Sequence, residues 1–400
     1  MDERAFDPEV LFAIIGGGPA GLTTALSLVR EAPELGSRIV VLERATYPRE
    51  KICAGAVAGR GLQILSSLGV RPTVPAVRVS GFSFLGAHGA STARVPRVGW
   101  VVRRREFDAA LVDAVVARGV RVIDSCKVRS LTDRGGTVHI ESEAGSIVAG
   151  AVVGADGIAS IVRKHMGIGP GGMRAQVVEA DTGWAPGDDR EYLRFDSRDR
   201  SLVGYAWDFP TPLNGRIRVS RGIYDLRPVG WDKTPTDASA LLDARLHQFG
   251  VTPDAPFRRF SERGYEVGTP VVSGRCMLVG ESAGIDPITG EGIAPAIEAG
   301  LAAGRHLARV WRGETRVGAW QSAFERSAVG RDLAVRSRLA RLCYGMGRPL
   351  ADRLLSRDET ALNAGARYFA GLPARWGSLA RLVASLGGAA VESNRLVAAR

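Results

Sequence analysis

Glycines 16, 18 and 21, within Gly16-Gly17-Gly18-Pro19-Ala20-Gly21, have the spacing that lets a backbone meet a pyrophosphate. The first permits a tight turn, the second close approach of a phosphate, and the third close packing of a helix on the preceding strand. Glu43 follows Gly21 by 22 residues, and a carboxylate about 20 residues beyond such a turn accepts ribose hydroxyls. A carboxylate favours a 2′-hydroxyl over a 2′-phosphate, so this pocket suits the adenosine end of FAD or NAD. A second segment, Gly154-Ala155-Asp156-Gly157, is followed by Ser160 and Arg163. Asp156 can hold its own turn or reach a dinucleotide, and Arg163 suits a phosphate. A third segment begins at Gly280-Glu281 and runs through Asp286-Pro287 into Thr289-Gly290-Glu291-Gly292-Ile293. Glu281 can accept a ribityl hydroxyl, and the helix after Gly292 offers its N-terminus to the anionic end of a reduced flavin ring. Each segment alone could be an ordinary strand, turn and helix. Their order, with the acid after the first, describes one dinucleotide site.

The elements that must position these residues follow from periodicity. Leu11–Ile15 is an unbroken apolar run, as in a strand buried on both faces of a parallel sheet. A helix is expected from about Pro19 to Val29 and a second strand over Arg38–Glu43. Residues 77–102 alternate, which suits antiparallel strands. Arg104–Ala117 reads as a helix and Val120–Ile123 as a parallel strand. A hairpin turns at Gly135-Gly136, and Ile147–Gly154 returns to the nucleotide-binding sheet. Residues 175–265 hold alternating strands, such as Arg216–Arg221, and a helix over about Thr236–Phe249. Cys276–Gly280 reads as another buried strand, Ile293–Val310 as a helix, and the tail as helical. The fold class is α/β: a Rossmann-like FAD-binding domain, an inserted α+β substrate domain and a helical C-terminal tail. Residues 1–76, 100–174 and 266–320 make up the first domain. Residues 77–99 and 175–265 form an antiparallel-sheet substrate domain, and 321–400 the C-terminal region.

The chain has 400 residues, a net charge of +11 and 24% charged residues, enough for two domains with a large core. Nearly all the positive charge is arginine, with lysine only at 51, 127, 164 and 233. That skew reflects base composition, and no clustered basic and aromatic motif points to nucleic acid. From Arg331 to Arg400 there are 12 arginines against 5 acids. Leu333–Leu342 reads as a basic amphipathic helix, suited to solvent, to an anionic membrane surface or to an anionic substrate. The opening Met1-Asp2-Glu3-Arg4 lacks the regions of a signal peptide, so a cytoplasmic location is expected. No apolar run is long enough to span a membrane. Cys53, Cys126, Cys276 and Cys343 are scattered, with no pairing or histidine spacing suited to zinc, and no metal is expected.

Residues 10–310 resemble the FAD-dependent oxidoreductases of the p-hydroxybenzoate hydroxylase fold, and within them the geranylgeranyl reductase family. Arg49-Glu50-Lys51-Ile52-Cys53-Ala54-Gly55 resembles that family's cysteine loop beside the flavin. Arg104-Arg105-Glu106-Phe107-Asp108 resembles its arginine segment, whose arginine contacts FAD. Tyr205-Ala206-Trp207-Asp208-Phe209-Pro210 resembles the motif that lines its substrate cavity, and Thr289–Ile293 the loop over the ring. The resemblance implies a cofactor set of Gly16, Gly18, Ala20, Gly21, Glu43, Arg44, Cys53, Ala54, Arg104, Val128, Asp156, Glu281, Gly290, Gly292 and Ile293. It implies a substrate set of Tyr205, Trp207 and Phe209. The family carries Asp where this chain has Glu281, a difference of one methylene at the ribityl contact. The halogenases of the fold need a lysine that this chain lacks between Lys51 and Lys127.

The implied chemistry is FAD-dependent reduction of a carbon–carbon double bond in a prenyl or other apolar substrate. NAD(P)H or another reductant supplies the electrons, and Cys53 or water the proton. A monooxygenase acting on an aromatic or polyketide-like molecule is the alternative, and a non-catalytic flavoprotein a third reading. The five histidines match no triad and receive no role.

Overall fold

The computed structural model describes residues 10–230, 236–345 and 347–373. The N-terminal segment 1–9 and the tail 374–400 lie outside the described residues. The last four arginines of the basic tail therefore lie there too.

The apolar run at the start forms the strand Val10–Ile15, which pairs in parallel with Ile39–Leu42 on one side and Gly145–Gly154 on the other. Its side chains are buried apart from the half-buried Leu11, as expected of a strand covered on both faces. The sheet order is Val272–Ser273, Cys276–Leu278, Gly145–Gly154, Val10–Ile15, Ile39–Leu42 and Arg121–Ile123. The expected hairpin forms from Val128–Arg134 and Thr137–Ser142 and joins the sheet through Gly145–Gly154.

Helices Pro19–Glu31 and Ile293–Trp311 pack tightly on one another. Gly304 permits the approach, because a β-carbon there would lie 2.6 Å from the Leu28 backbone nitrogen. The strand expected to run to Gly280 stops at Leu278, where the chain enters a tight turn with Gly280 at φ +62°. The helix expected from Thr236 starts at Ala238, because the Asp237 side chain accepts hydrogen bonds from the Ser239 and Ala240 N–H groups.

The second sheet runs Arg258–Arg263, Met173–Thr182, Arg216–Pro228, Gly204–Leu213, Tyr192–Asp196, Ala76–Gly86, Gly89–Val102 and Ala56–Ala58. Its pairs are antiparallel except Tyr192–Asp196 with Ala76–Gly86. Ala56–Ala58 belongs to this sheet although it lies in the first expected segment. In Gly204–Leu213 both faces are covered. One face puts Ala206 against the helix Ala238–Phe249, and the other puts Tyr205, Trp207 and Phe209 in an aromatic cluster. Asp208 lies between Arg221 Nη1 at 2.7 Å and Arg245 Nη2 at 2.6 Å, and Asp188 and Asp196 pair with the other sides of those two guanidiniums, so the buried charges are balanced by neighbours.

The C-terminal region is helical through Phe369: Trp320–Arg326, Ala328–Tyr344, Arg348–Arg357 and Glu359–Phe369. The last two pack on Ala76–Gly86 and Gly89–Val102. Several arginines of this region serve internal contacts. Arg336 pairs with the buried Asp286 at 2.6 Å, and Arg348 donates to the carbonyls of Leu202 and Asp199.

Candidate functional site

The three glycine segments meet at one groove of about 550 Å³, within the range of small-molecule sites. Gly16, at φ +106°, turns the chain so sharply that a β-carbon would lie 2.3 Å from the Ala155 carbonyl oxygen. The Ala155 N–H donates to Ile15 O at 2.7 Å, and Val279 N–H to Gly154 O at 3.0 Å. Those two bonds align the ends of three neighbouring strands. A β-carbon at Gly21 would lie 2.0 Å from the Gly16 carbonyl oxygen. Gly21 therefore sets the helix against the turn and does not line the groove, a correction to its expected cofactor contact.

Gly18 caps the helix Pro19–Glu31, where no side chain caps the first turn and no acid occupies it. Its free N–H groups and positive dipole end suit a phosphate. A β-carbon at Gly18 would find only Arg49 Nη2 at 3.7 Å and Arg104 Nη2 at 3.8 Å. Asp108, fully buried, holds both arginines. Arg104 binds it through two bonds of 2.8 and 2.7 Å, and Arg49 Nη2 lies 3.1 Å away. Asp108 thus sets two guanidiniums side by side in front of a helix N-terminus.

Glu43 lines the groove and also builds it. Its carboxylate accepts the Gly17 N–H at 3.0 Å and the Ala45 N–H at 3.1 Å, and pairs with Arg49 Nε at 3.3 Å. The Tyr47 hydroxyl and Arg49 both donate to the Gly17 carbonyl. In the sequence Arg49 stands out only as part of the cysteine loop. Its role depends on a contact with residue 108 that spacing does not reveal.

Farther along, Asp156 Oδ2 accepts the Ile161 N–H at 2.6 Å and so starts the short helix Ile161–His165. Among the described residues its Oδ1 is buried without a hydrogen-bond partner. Burial pushes this carboxyl up, against the Ser160 and backbone hydrogen bonds that lower it. Glu281 lies across from it: a β-carbon on Gly157 would sit 3.4 Å from Glu281 Oε2, and Lys51 Nζ is 3.9 Å from the same oxygen. Arg163 does not reach the groove. Its Nη2 donates to the Ile158 carbonyl at 2.7 Å, and the side chain braces the turn rather than facing a phosphate. Ala20, Arg44, Arg104 and Val128 line the groove, as do Gly290, Gly292 and Ile293.

A second, smaller cavity of about 80 Å³ adjoins the groove. Tyr205, Trp207 and Phe209 line it, with Phe195, Tyr224 and Phe369. Ala54, expected at the cofactor, lines this cavity instead. Tyr205 stacks on Tyr224 with centroids 5.3 Å apart, and Phe195 meets Tyr205 edge-on at 5.2 Å. The tyrosine hydroxyls point at the third segment: Tyr205 donates to Thr289 O, Tyr224 to Pro287 O at 3.0 Å, and Tyr344 to Ile288 O. Asp286, fully buried, accepts the Ile288 N–H at 2.8 Å and the Thr289 hydroxyl at 2.6 Å. The loop over the groove is thus fastened by three tyrosines and one aspartate.

Cys53, Phe260, Glu262, Gly290, Gly292 and Ile293 line both spaces. The Cys53 sulfur accepts the Gly55 N–H at 3.4 Å. Burial pushes its thiol up, with Arg104 opposing. Glu262 was not anticipated. Its strand, Arg258–Arg263, reads as polar and exposed, and only pairing with Met173–Thr182 turns Phe260 and Glu262 inward. Away from both spaces, Asp133, His165 and Cys276 bring ligand atoms within 4.8 Å of one another, and His165 Nε2 bonds Asp133 at 3.0 Å. The sequence spacing gave no hint of that grouping.

The family model described as FAD binding domain matches residues 8–337. A digeranylgeranylglycerophospholipid reductase from Methanothrix thermoacetophila is 29% identical over 347 residues, 80% of this chain and 84% of that protein. A solved geranylgeranyl bacteriochlorophyll reductase-like protein from Thermoplasma acidophilum superposes with a TM-score of 0.74 at 18% identity, covering 94% of this chain and 98% of that one. A flavin-dependent brominase superposes with a TM-score of 0.71 at 18% identity, covering 95% and 99%. At such identities the two structures speak for the fold.

Proposed function

The chain belongs to the FAD binding domain family, and from that premise we propose that it reduces a carbon–carbon double bond in a prenyl or similar apolar chain. The observation that carries this reading is the shared wall between a polar, phosphate-ready groove and an aromatic cavity. The residues fit FAD: a bare helix N-terminus beside Arg49 and Arg104, and a groove-lining Asp156 whose buried Oδ1 has no hydrogen-bond partner among the described residues.

In this reading the turn at Gly16–Gly18, with Arg49 and Arg104, would hold the pyrophosphate. Glu43 would hold the ribose, and Asp156 and Glu281 the ribityl chain. Glu281 reaches the Gly157 turn with its longer side chain, so the ribityl contact survives the departure from Asp. Bound FAD supplies hydride chemistry, and NAD(P)H is the proposed reductant. Tyr205, Trp207 and Phe209 exclude water and present an apolar face to the substrate. Cys53 stands at the junction, where it or water can deliver a proton. The cavity is about 80 Å³, roughly half of a ~150 Å³ cavity that takes benzene. It admits the reacting segment of an apolar chain, with the remainder lying outside it. We keep the expected domain division, with Ala56–Ala58 moved to the substrate sheet.

No helix among the described residues is long and apolar enough to cross a membrane. Val335, Leu339 and Leu342 are exposed on one helix beside Arg338 and Arg341, which supports substrate capture at an anionic lipid surface. The test of the function is anaerobic. Chemically reduced protein mixed with a geranylgeranyl-bearing lipid should regain the oxidised flavin spectrum; a spectrum unchanged until air is admitted contradicts the reading.

A further inference from the structure

The reduction needs a proton as well as a hydride, and the junction holds an acid other than Cys53. Glu262 lines both the groove and the aromatic cavity. Among the described residues its Oε2 is buried and has no hydrogen-bond partner. A buried carboxylate oxygen without a partner is costly, and the cost falls when the group carries a proton. The chain also leaves it room. A β-carbon at Gly290 would lie 2.7 Å from Oε2, and Gly290 has φ +63°, which favours glycine there.

Resting on the reductase reading, we propose that Glu262 is the proton donor of the reaction. The Oε2–H bond breaks as a C–H bond forms on one carbon of the double bond. The other carbon receives the hydride that reduced FAD supplies, and water returns a proton to the carboxylate. The double bond gains two electrons and the cofactor loses two.

The surroundings agree. Burial, then Glu281, pushes the Glu262 carboxyl well above the usual carboxylate range; Glu179 and Asp286 add to this, and Lys51 opposes it. These surroundings favour the proton-bearing form of the carboxyl, the form a general acid needs. Cys53 is less suited. A thiol starts at 9.0, and burial raises this one further.

The test uses the FAD-loaded protein and three variants: Glu262→Gln, Glu262→Asp and Cys53→Ala. Flavin absorbance checks that each retains cofactor. Under anaerobiosis, Glu262→Gln should slow oxidation of the reduced enzyme by geranylgeranyl lipid about 100-fold or more. Glu262→Asp should recover part of that loss. The wild-type rate should fall as pH rises through the folded pKa of Glu262. Glu262→Gln should lose that alkaline limb, whereas Cys53→Ala should keep it, whatever its own rate. Infrared difference spectra over a pH titration give a readout without turnover: a protonated carboxyl band should be present at neutral pH and absent from Glu262→Gln. If Cys53→Ala loses the limb and Glu262→Gln keeps it, the thiol is the donor and the proposal fails. It fails equally if the wild type shows no such band at neutral pH. If the band is present but no alkene is reduced by the wild type, the reductase reading is at fault and the proton-donor role falls with it.

Discussion

Gly18→Val separates cofactor binding from folding. Gly18 has φ −88°, which any L-residue adopts, and its β-carbon would meet nothing nearer than two guanidinium nitrogens at 3.7 and 3.8 Å. The folded protein therefore accepts the side chain at a cost within about 1 kcal/mol, since lost chain entropy in the unfolded state offsets the poorer cap. The space it fills is where a phosphate must sit. Loss of two charge-assisted hydrogen bonds, at about 1.5–3 kcal/mol each, weakens binding by about 3–6 kcal/mol. At about 1.4 kcal/mol per decade, that is roughly a 10²- to 10⁴-fold rise in Kd. Gly21→Ala gives the contrast, because its β-carbon would lie 2.0 Å from the Gly16 carbonyl oxygen; there the fold itself should suffer. Flavin titration of each apoprotein measures binding, and circular-dichroism melts measure stability. A Gly18→Val protein that purifies with full FAD, or that melts well before the wild type without cofactor, refutes the assignment of the phosphate cradle.

Other expectations follow from the same contacts. Glu43→Gln should weaken FAD roughly 10- to 100-fold, from loss of about 1.5–3 kcal/mol of charged hydrogen bonding, and more than Glu281→Asp does; equilibrium titration decides the order. Trp207→Ala should cost about 3–5 kcal/mol in stability, because the ring fills the space over Gly222. It should impair turnover yet retain flavin, and released flavin would put Trp207 in the cofactor site. Burial pushes the Glu179 carboxyl up to about 7. The raised value means the folded state favours the protonated form, so the contribution of Glu179 to stability is full below pH 4.5 and is lost as pH rises through about 7. Denaturant melts of the apoprotein should show that decline, and Glu179→Gln should flatten it. Leu339→Glu should reduce co-sedimentation with anionic vesicles; equal binding would remove this helix from the membrane contact.

The cofactor half of the site was legible because its geometry is local. A strand, a glycine turn and a helix N-terminus are specified within one stretch of sequence, and Gly16, Gly18 and Glu43 stand on the groove they were expected to form. The motif suits Gly21 both to packing and to contact, and the 2.0 Å between a β-carbon there and the Gly16 carbonyl oxygen fits packing. Arg49 and Glu262 were hidden for one reason. Each gains its position from a partner far along the chain, Asp108 in one case and the strand Met173–Thr182 in the other. The substrate motif was legible because alternate residues of a strand share a face, so Tyr205, Trp207 and Phe209 had to point together. Two arginines of the basic C-terminal region were not legible for the same reason. Charge counts treat Arg336 and Arg348 as surface, whereas tertiary contacts bring them against Asp286 and backbone carbonyls.

The central claim is that this protein adds hydrogen to a double bond without oxygen. Chemically reduced enzyme, given a geranylgeranyl-bearing lipid under strict anaerobiosis, should yield a product two hydrogens heavier by mass spectrometry. A product that forms only in air and carries label from isotopic dioxygen would contradict the account and identify a monooxygenase.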